Sequence, residues 1–198
     1  MLSASHMAQT LYGLRSARGN TGSKLQDFCD AVAAGIVQSV QGKPFQTVDT
    51  GSVPGTGAGS GVGVILASGL VSSALFSAST AAFGGSGPEL IGLCDDIESA
   101  LISEMALSTL TSSHAPVFVG TGTITPGSIP VTAVEVSGNV SSQGAAKGLL
   151  GAQFPAFANA IGTGVQAPFP SAGGSVTITG TPTGTPAPGA GVGQGTIT

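Results

Sequence analysis

The sequence has no tryptophan, one tyrosine, two cysteines and only five lysines and arginines among 198 residues. Charged residues make up 7% of the chain, against ~25% in an ordinary soluble domain. Five cations are too few for the basic footprint of a nucleic-acid binder. Two cysteines cannot staple a small disulfide-framed domain. A formal net charge of −4 and a mean hydropathy of +0.41 exclude an intrinsically disordered chain, which needs high net charge and low hydropathy. Arg15 and Arg18 lie near the N-terminus with no apolar segment leading to a cleavage site, so a secretory signal is not expected.

What replaces charge is glycine and proline, 33 and 12 residues respectively. From Gly51 to Pro88 there is no ionisable side chain, and none follows Lys147. A free monomer normally keeps a mixed, charged surface to stay dispersed. The composition therefore predicts a chain covered by neighbours: a homo-oligomer or a subunit of a larger assembly, with no direct nucleic-acid partner.

The chain also aligns with itself. Phe28-Cys29-Asp30-Ala31-Val32 recurs as Leu93-Cys94-Asp95-Asp96-Ile97 and again, after nearly the same interval, as Phe157-Ala158-Asn159-Ala160-Ile161. Gly55-Thr56-Gly57, Gly120-Thr121-Gly122 and Gly184-Thr185-Pro186 each stand at one fixed distance beyond Phe28, Leu93 and Phe157. Regular recurrence of this kind signals a repeat architecture. The expected organisation is an N-terminal segment 1–22, repeat 1 at 23–86, repeat 2 at 87–151, and a truncated repeat 3 with an extended Gly/Pro-rich tail at 152–198.

Each unit opens on an amphipathic helix. Leu25, Phe28, Cys29, Val32, Ile36 and Val40 follow helical spacing, with Ser23 and Gln26 at capping-box distance. Leu90, Leu93, Cys94, Ile97, Leu101 and Met105 repeat the stripe behind Pro88 and Glu89, which suit a first turn. The third copy keeps Phe157, Ile161 and Val165 but carries Gly162 and Gly164, which weaken a helix. A β-like passage into a glycine loop comes next, as in Val117-Phe118-Val119 and Ser175 to Thr179. A second helix is expected from Val64 to about Phe83, and again from Val140 to about Leu150. Met1 to Arg18 reads as an orphan copy of that second helix. The predicted fold class is mainly α: tandem helix–loop–helix repeats of about 64 residues, long Gly-rich extended loops and a short β-like C-terminal segment. Long loops that recur with the repeat suggest docking arms.

Chemistry-bearing motifs are sparse. Gly55 to Gly61 has neither the lysine of a phosphate-binding loop nor an acid about 20 residues on, and reads as a glycine connection. Cys29 and Cys94 sit at matching positions beside Asp30 and Asp95, which disfavour a thiolate. They are either buried thiols or a disulfide, within the chain or between subunits. His6 and His114 stand alone. Glu89, Asp95, Asp96, Glu98 and Glu104 read as a solvated or partner-facing helix face, whose basic partners would have to come from another chain. No catalytic residue, metal ligand or cofactor is assigned. Val62 to Ala82 is long enough to span a bilayer, but its serines and glycines favour a core or intersubunit helix.

The repeated helix and Gly-Thr-Gly loop, with the closing tail of Pro182, Pro186, Pro188 and Gly189-Ala190-Gly191, resembles a group of tailed-bacteriophage virion structural proteins over about Leu25 to Thr198. That resemblance implies location in the virion, other virion structural proteins as partners, and no enzymatic activity. The expected function is a tail, neck or baseplate subunit that binds neighbours through loops and tail. Val176, Thr177, Ile178 and Thr179 are the candidate interface, adding a strand to a neighbour's sheet. The alternatives are a capsid-surface cement or decoration protein, and a membrane-inserting or pore-forming protein using Val62 to Ala82. A secreted adhesin stalk would need an export signal.

Overall fold

A computed structural model describes residues 2–53, 59–66, 71–84, 86–107, 110–115, 119–125, 128–149, 151–167, 169–171, 173–179 and 187–197. Two helices, α1 (Ala4–Ala17) and α2 (Leu25–Val40), precede two strands, β1 (Pro44–Val53) and β2 (Gly59–Leu66). The same order returns as α3 (Val71–Phe83), α4 (Pro88–Leu107), β3 (Leu110–Ala115) and β4 (Val119–Ile124). It returns once more as α5 (Ala133–Ala146), α6 (Phe154–Gln166), β5 (Gly173–Thr179) and β6 (Ala187–Ile197), with a 3-10 turn at Phe169–Ser171 before β5. Helices form the larger share of the regular structure.

Local chemistry fixes the helix ends. Ser3 and Thr132 accept the backbone N–H groups of His6 and Glu135, capping α1 and α5. Gly42 and Gly84 take positive φ just beyond α2 and α3, a conformation that side-chain-bearing residues resist. The capping box expected at Ser23 and Gln26 is not formed. Lys24 is the N-cap of α2 and makes no side-chain cap, while Gln26 donates along the helix to Asp30.

The six strands close into an antiparallel barrel in the order β1-β4-β5-β2-β3-β6. Its register has a threefold pattern. Thr47 pairs with Ile124 and Gly193, Ser112 with Gly195 and Gly61, and Val176 with Gly63 and Gly122. Thr47, Ser112 and Val176 are separated by the same intervals as Phe28, Leu93 and Phe157. Further along each strand the pattern returns: Asp49 pairs with Gly122 and Gly191, His114 with Gly193 and Gly59, and Ile178 with Gly61 and Gly120. In each case a residue of a first strand faces second-strand partners that are mostly glycine. A six-stranded barrel is narrow, and glycine on alternate strands leaves room for the side chains opposite. Phe45, Thr47, Asp49, Leu110, Ser112, Ile124, Ile178 and Ile197 are buried. Gln46, Val48, Thr123, Gln194 and Thr196, on the alternate positions, are exposed. The outer wall is thus uncovered at those positions of β1, β4 and β6.

The helices pack in a ring, α1-α2-α5-α6-α3-α4 and back to α1. Their core positions stack in triplets at the spacing of the repeat: Val32, Ile97 and Ile161; Ile36, Leu101 and Val165; Val40, Met105 and Phe169. All nine are buried in a single cluster that continues into the barrel through Phe45, Leu110, Ile124 and Ile178. Full burial of one such side chain is worth about 1.5–3 kcal/mol. Three seams of the ring close on glycine. A Cβ at Gly35 of α2 would lie 2.6 Å from the Cα of Val140 in α5. One at Gly164 of α6 would lie 2.6 Å from the Cβ of Leu75 in α3. Gly162 meets the carbonyl of Ala133 in the same way. The glycines that weaken α6 as an isolated helix therefore let it dock closely.

Several expectations are corrected. The glycine loops are not extended arms within the described residues; they supply the strands of the barrel. The stretch expected as one helix from Val64 divides into the end of β2 and α3. The helix expected at Val140 to Leu150 begins earlier, at Ala133, and its last helical residue is Ala146. The C-terminal segment is no tail, because β6 is hydrogen-bonded along β1 on one side and β3 on the other. The boundaries drawn at 22, 86 and 151 fall in the links inside the helix pairs. α1 occupies in the ring the place held elsewhere by α3 and α5. The Gly55-Thr56-Gly57 landmark, Gly184-Thr185-Pro186 and Val117-Phe118 lie outside the described residues.

Candidate functional site

The densest chemistry lies where α1 meets α4. Asp96 is buried and receives Arg15 Nη1 at 3.1 Å and Arg18 Nε at 2.9 Å. Arg15, itself buried, also reaches Glu89 at 3.7 Å. At the other end of α1, the buried Glu104 takes His6 Nδ1 at 2.7 Å and the backbone N–H of Ser3. The guanidinium of Arg18 is held above its ordinary range by its bond to Asp96. A buried carboxylate between two guanidiniums satisfies the rule that buried charge must be paired. The remaining acids of α4 receive α3: Ser72 donates its hydroxyl to Asp95 and its N–H to Glu98, a favourable placement of carboxylates at a helix N-terminus.

Asp95, Asp96, Glu98 and Glu104 of α4 are therefore no solvated or partner-facing stripe, while Glu89 is exposed as expected. Their donors come from α1 and α3 of the same chain, which corrects the expectation that they must come from elsewhere. His6 is not isolated either. Separation in sequence hid these pairs: His6 and Glu104 lie 98 residues apart.

The other cations are engaged as well. Lys43 meets Glu135 at 2.6 Å, Lys147 meets Asp30 at 2.9 Å, and Lys24 meets Asp27 at 2.9 Å. The Lys147 hydrogen bond, followed by a smaller one from Gln26, holds the Asp30 carboxyl below the usual range against its partial burial. All five lysines and arginines of the sequence thus meet a carboxylate of their own chain.

Cys29 and Cys94 are free and buried, so no disulfide joins them. Burial first, and the adjacent Asp30 and Asp95 second, push both thiols up to about 11. They are inert core groups. In the barrel, Asp49 is fully buried and accepts the Thr47 hydroxyl at 2.7 Å. A Cβ at Gly122, across the β1–β4 pair, would come within 2.5 Å of its Oδ1. His114 lies on β3, opposite Gly193 and Gly59.

At the end of the ring where α4 and α6 begin, an apolar pocket of about 430 Å³ opens, lined by Leu90, Leu93, Leu149, Gly151, Gln153, Phe154 and Phe157. The ring of Phe157 packs against that of Phe28, centroids 5.7 Å apart. Leu25, Phe28, Leu90, Leu93, Phe154 and Phe157 are only partly buried. Leu25, Phe28, Leu90, Leu93 and Phe157 belong to the stripes read in the sequence, whereas Phe154 was not among them.

The candidate interface Val176 to Thr179 lies within β5. β4 pairs with it at Val176, Thr177 and Ile178, and β2 along its whole described length. Strand addition needs a free edge, and this strand has none at Val176, Thr177 and Ile178. Among the described residues no group of His, Cys, Asp or Glu side chains could hold a metal ion, and no helix is long and apolar enough to cross a membrane. Comparison with protein-family models, with curated proteins and with solved structures finds no match.

Proposed function

We propose that this protein is a non-enzymatic structural subunit of a phage virion, built as a tandem repeat and meeting its neighbours as a folded block. One observation carries the reading. Every lysine and arginine is consumed by an ion pair within the chain, while the exposed barrel positions Gln46, Val48, Thr123, Gln194 and Thr196 are all neutral. Such a wall offers no charge to a nucleic acid or an anionic substrate. It suits close, neutral contact with other protein surfaces, in which charged residues are depleted. The partly buried apolar rim at Leu90, Leu93, Phe154 and Phe157 is a second contact surface of the same kind. The charged groups of the α1–α4 seam are tied in structural pairs, so none there is poised for acid–base work.

Docking is then not through extended arms. With β6 and β5 inside the barrel, neighbours are held by folded surfaces, and the protein reaches its partners already ordered. Mass spectrometry of purified particles from the source tests it. Recovery at a fixed stoichiometry to other virion proteins is expected. Recovery only from the soluble fraction would contradict it.

A further inference from the structure

Each αα-ββ unit of the chain makes no strand pair with itself. β1 pairs with β4 and β6, β3 with β2 and β6, and β5 with β2 and β4. All six strand–strand contacts of the barrel therefore join different units. The helix ring alternates: α1–α2, α3–α4 and α5–α6 lie within a unit, while α2–α5, α6–α3 and α4–α1 join two units. The register advances around the barrel by the interval of the repeat, so the three unit–unit interfaces are built at corresponding positions.

We infer that the chain is a single-chain trimer, and that the surface each unit presents is made to receive a unit of this same sequence whether or not it is covalently joined. A unit of a second copy thus fits these surfaces where it takes the place of the unit that closes the barrel in cis. An isolated unit leaves both its strands without partners on either side, which is unstable for so small a sheet. The connections between units are short, residues 67–70 between β2 and α3 and 125–132 between β4 and α5. Their effect is to raise the effective concentration of one unit at the next. Unit exchange between copies is the expected consequence, because the same interfaces form in cis and in trans.

The test uses the full chain with a protease-recognition sequence placed at 67–70 and cleaved after folding. Light and heavy-isotope preparations are cleaved, unfolded together in urea, refolded by dilution and weighed by native mass spectrometry. One-to-one complexes of the two fragments are expected, with mixed light–heavy species as abundant as the two pure ones together. Fragments that stay apart or aggregate would overturn the inference. A second variant guards against non-specific clinging. Gly122→Val adds a side chain against Asp49 and Thr47 at the β1–β4 junction, between strands that then lie on different fragments. Association about tenfold weaker is expected. Unchanged association would show that the fragments are held by something other than the unit interfaces.

Discussion

The α1–α4 seam and the α2–α5 seam occupy corresponding places in the helix ring, yet they are closed by different physics. At α2–α5 the backbone of Gly35 meets the backbone of Val140 with no room for a methyl group. At α1–α4 the residue in the place of Gly35 is Ala100, which is fully buried, and the helices are joined by Arg15, Arg18 and Asp96 at one end and His6 and Glu104 at the other. Close packing needs a small residue and gains dispersion from near contact. With a methyl group at that point, charged side chains join the two helices where the other seam has a backbone contact. One architecture thus tolerates two solutions, and each fails in its own way.

Cutting the ionic seam should do the most damage. Asp96→Ala leaves the buried Arg15 with only the exposed Glu89, 3.7 Å away, and is expected to cost about 3 kcal/mol in urea unfolding. Replacing both partners, Arg15→Met with Asp96→Leu, should recover most of that loss, since apolar pairs often substitute for buried ions. No recovery would mean that the seam is specified by charge alone.

The glycine seam comes next. Gly35→Ala is expected to cost about 1–3 kcal/mol from overpacking, despite the roughly 1 kcal/mol by which alanine favours a helix. The same substitution at Gly92 in α4 should cost less, because the added Cβ meets no backbone, only side-chain atoms of Arg18 at 3.0 Å or more. Equal losses at the two sites would refute the close-approach explanation.

A smaller effect is expected from pH. Asp30 has a lowered carboxyl in the fold, so its contribution is present above its unfolded value of about 3.9 and is lost as pH falls through the folded value. Thermal melts should therefore decline in the acid range, and Asp30→Asn should reduce that decline. The two thiols run the other way. Raised to about 11 in the fold, they favour the native state below their unfolded value of about 8.5 and lose that contribution as pH rises toward the folded one. Alkylation of native protein at neutral pH should accordingly be negligible. The smallest change is expected at the exposed Lys24–Asp27 pair, where Lys24→Ala should move stability by no more than about 0.5 kcal/mol.

The helical stripes were legible because period and burial coincide: Val32, Ile36 and Val40 announce their face without help from the rest of the chain. The offsets between Phe28, Leu93 and Phe157 were legible too, and they equal the spacing of Thr47, Ser112 and Val176 in the barrel. The barrel itself was hidden. Gly59 and Gly61 read as a loop by intrinsic preference, since glycine weakens a strand, and only the partner strands make them a strand. The ionic seam was hidden for a different reason. Arg15 and Asp96 are 81 residues apart, and nothing local to either shows that α1 lies along α4. Nor do the uncharged strands β2, β4, β5 and β6 need another subunit to clasp them, because they close into one barrel with β1 and β3.

Hydrogen exchange of β6 in the isolated protein tests the closed barrel most directly. Paired to β1 from Ala187 to Thr196 and to β3 from Val192 to Ile197, the segment should show slow amide exchange at high dilution, slowest over Val192–Thr196 and there comparable with that of β1. Fast exchange along this segment in the free protein, slowed only when other subunits are added, would contradict the account.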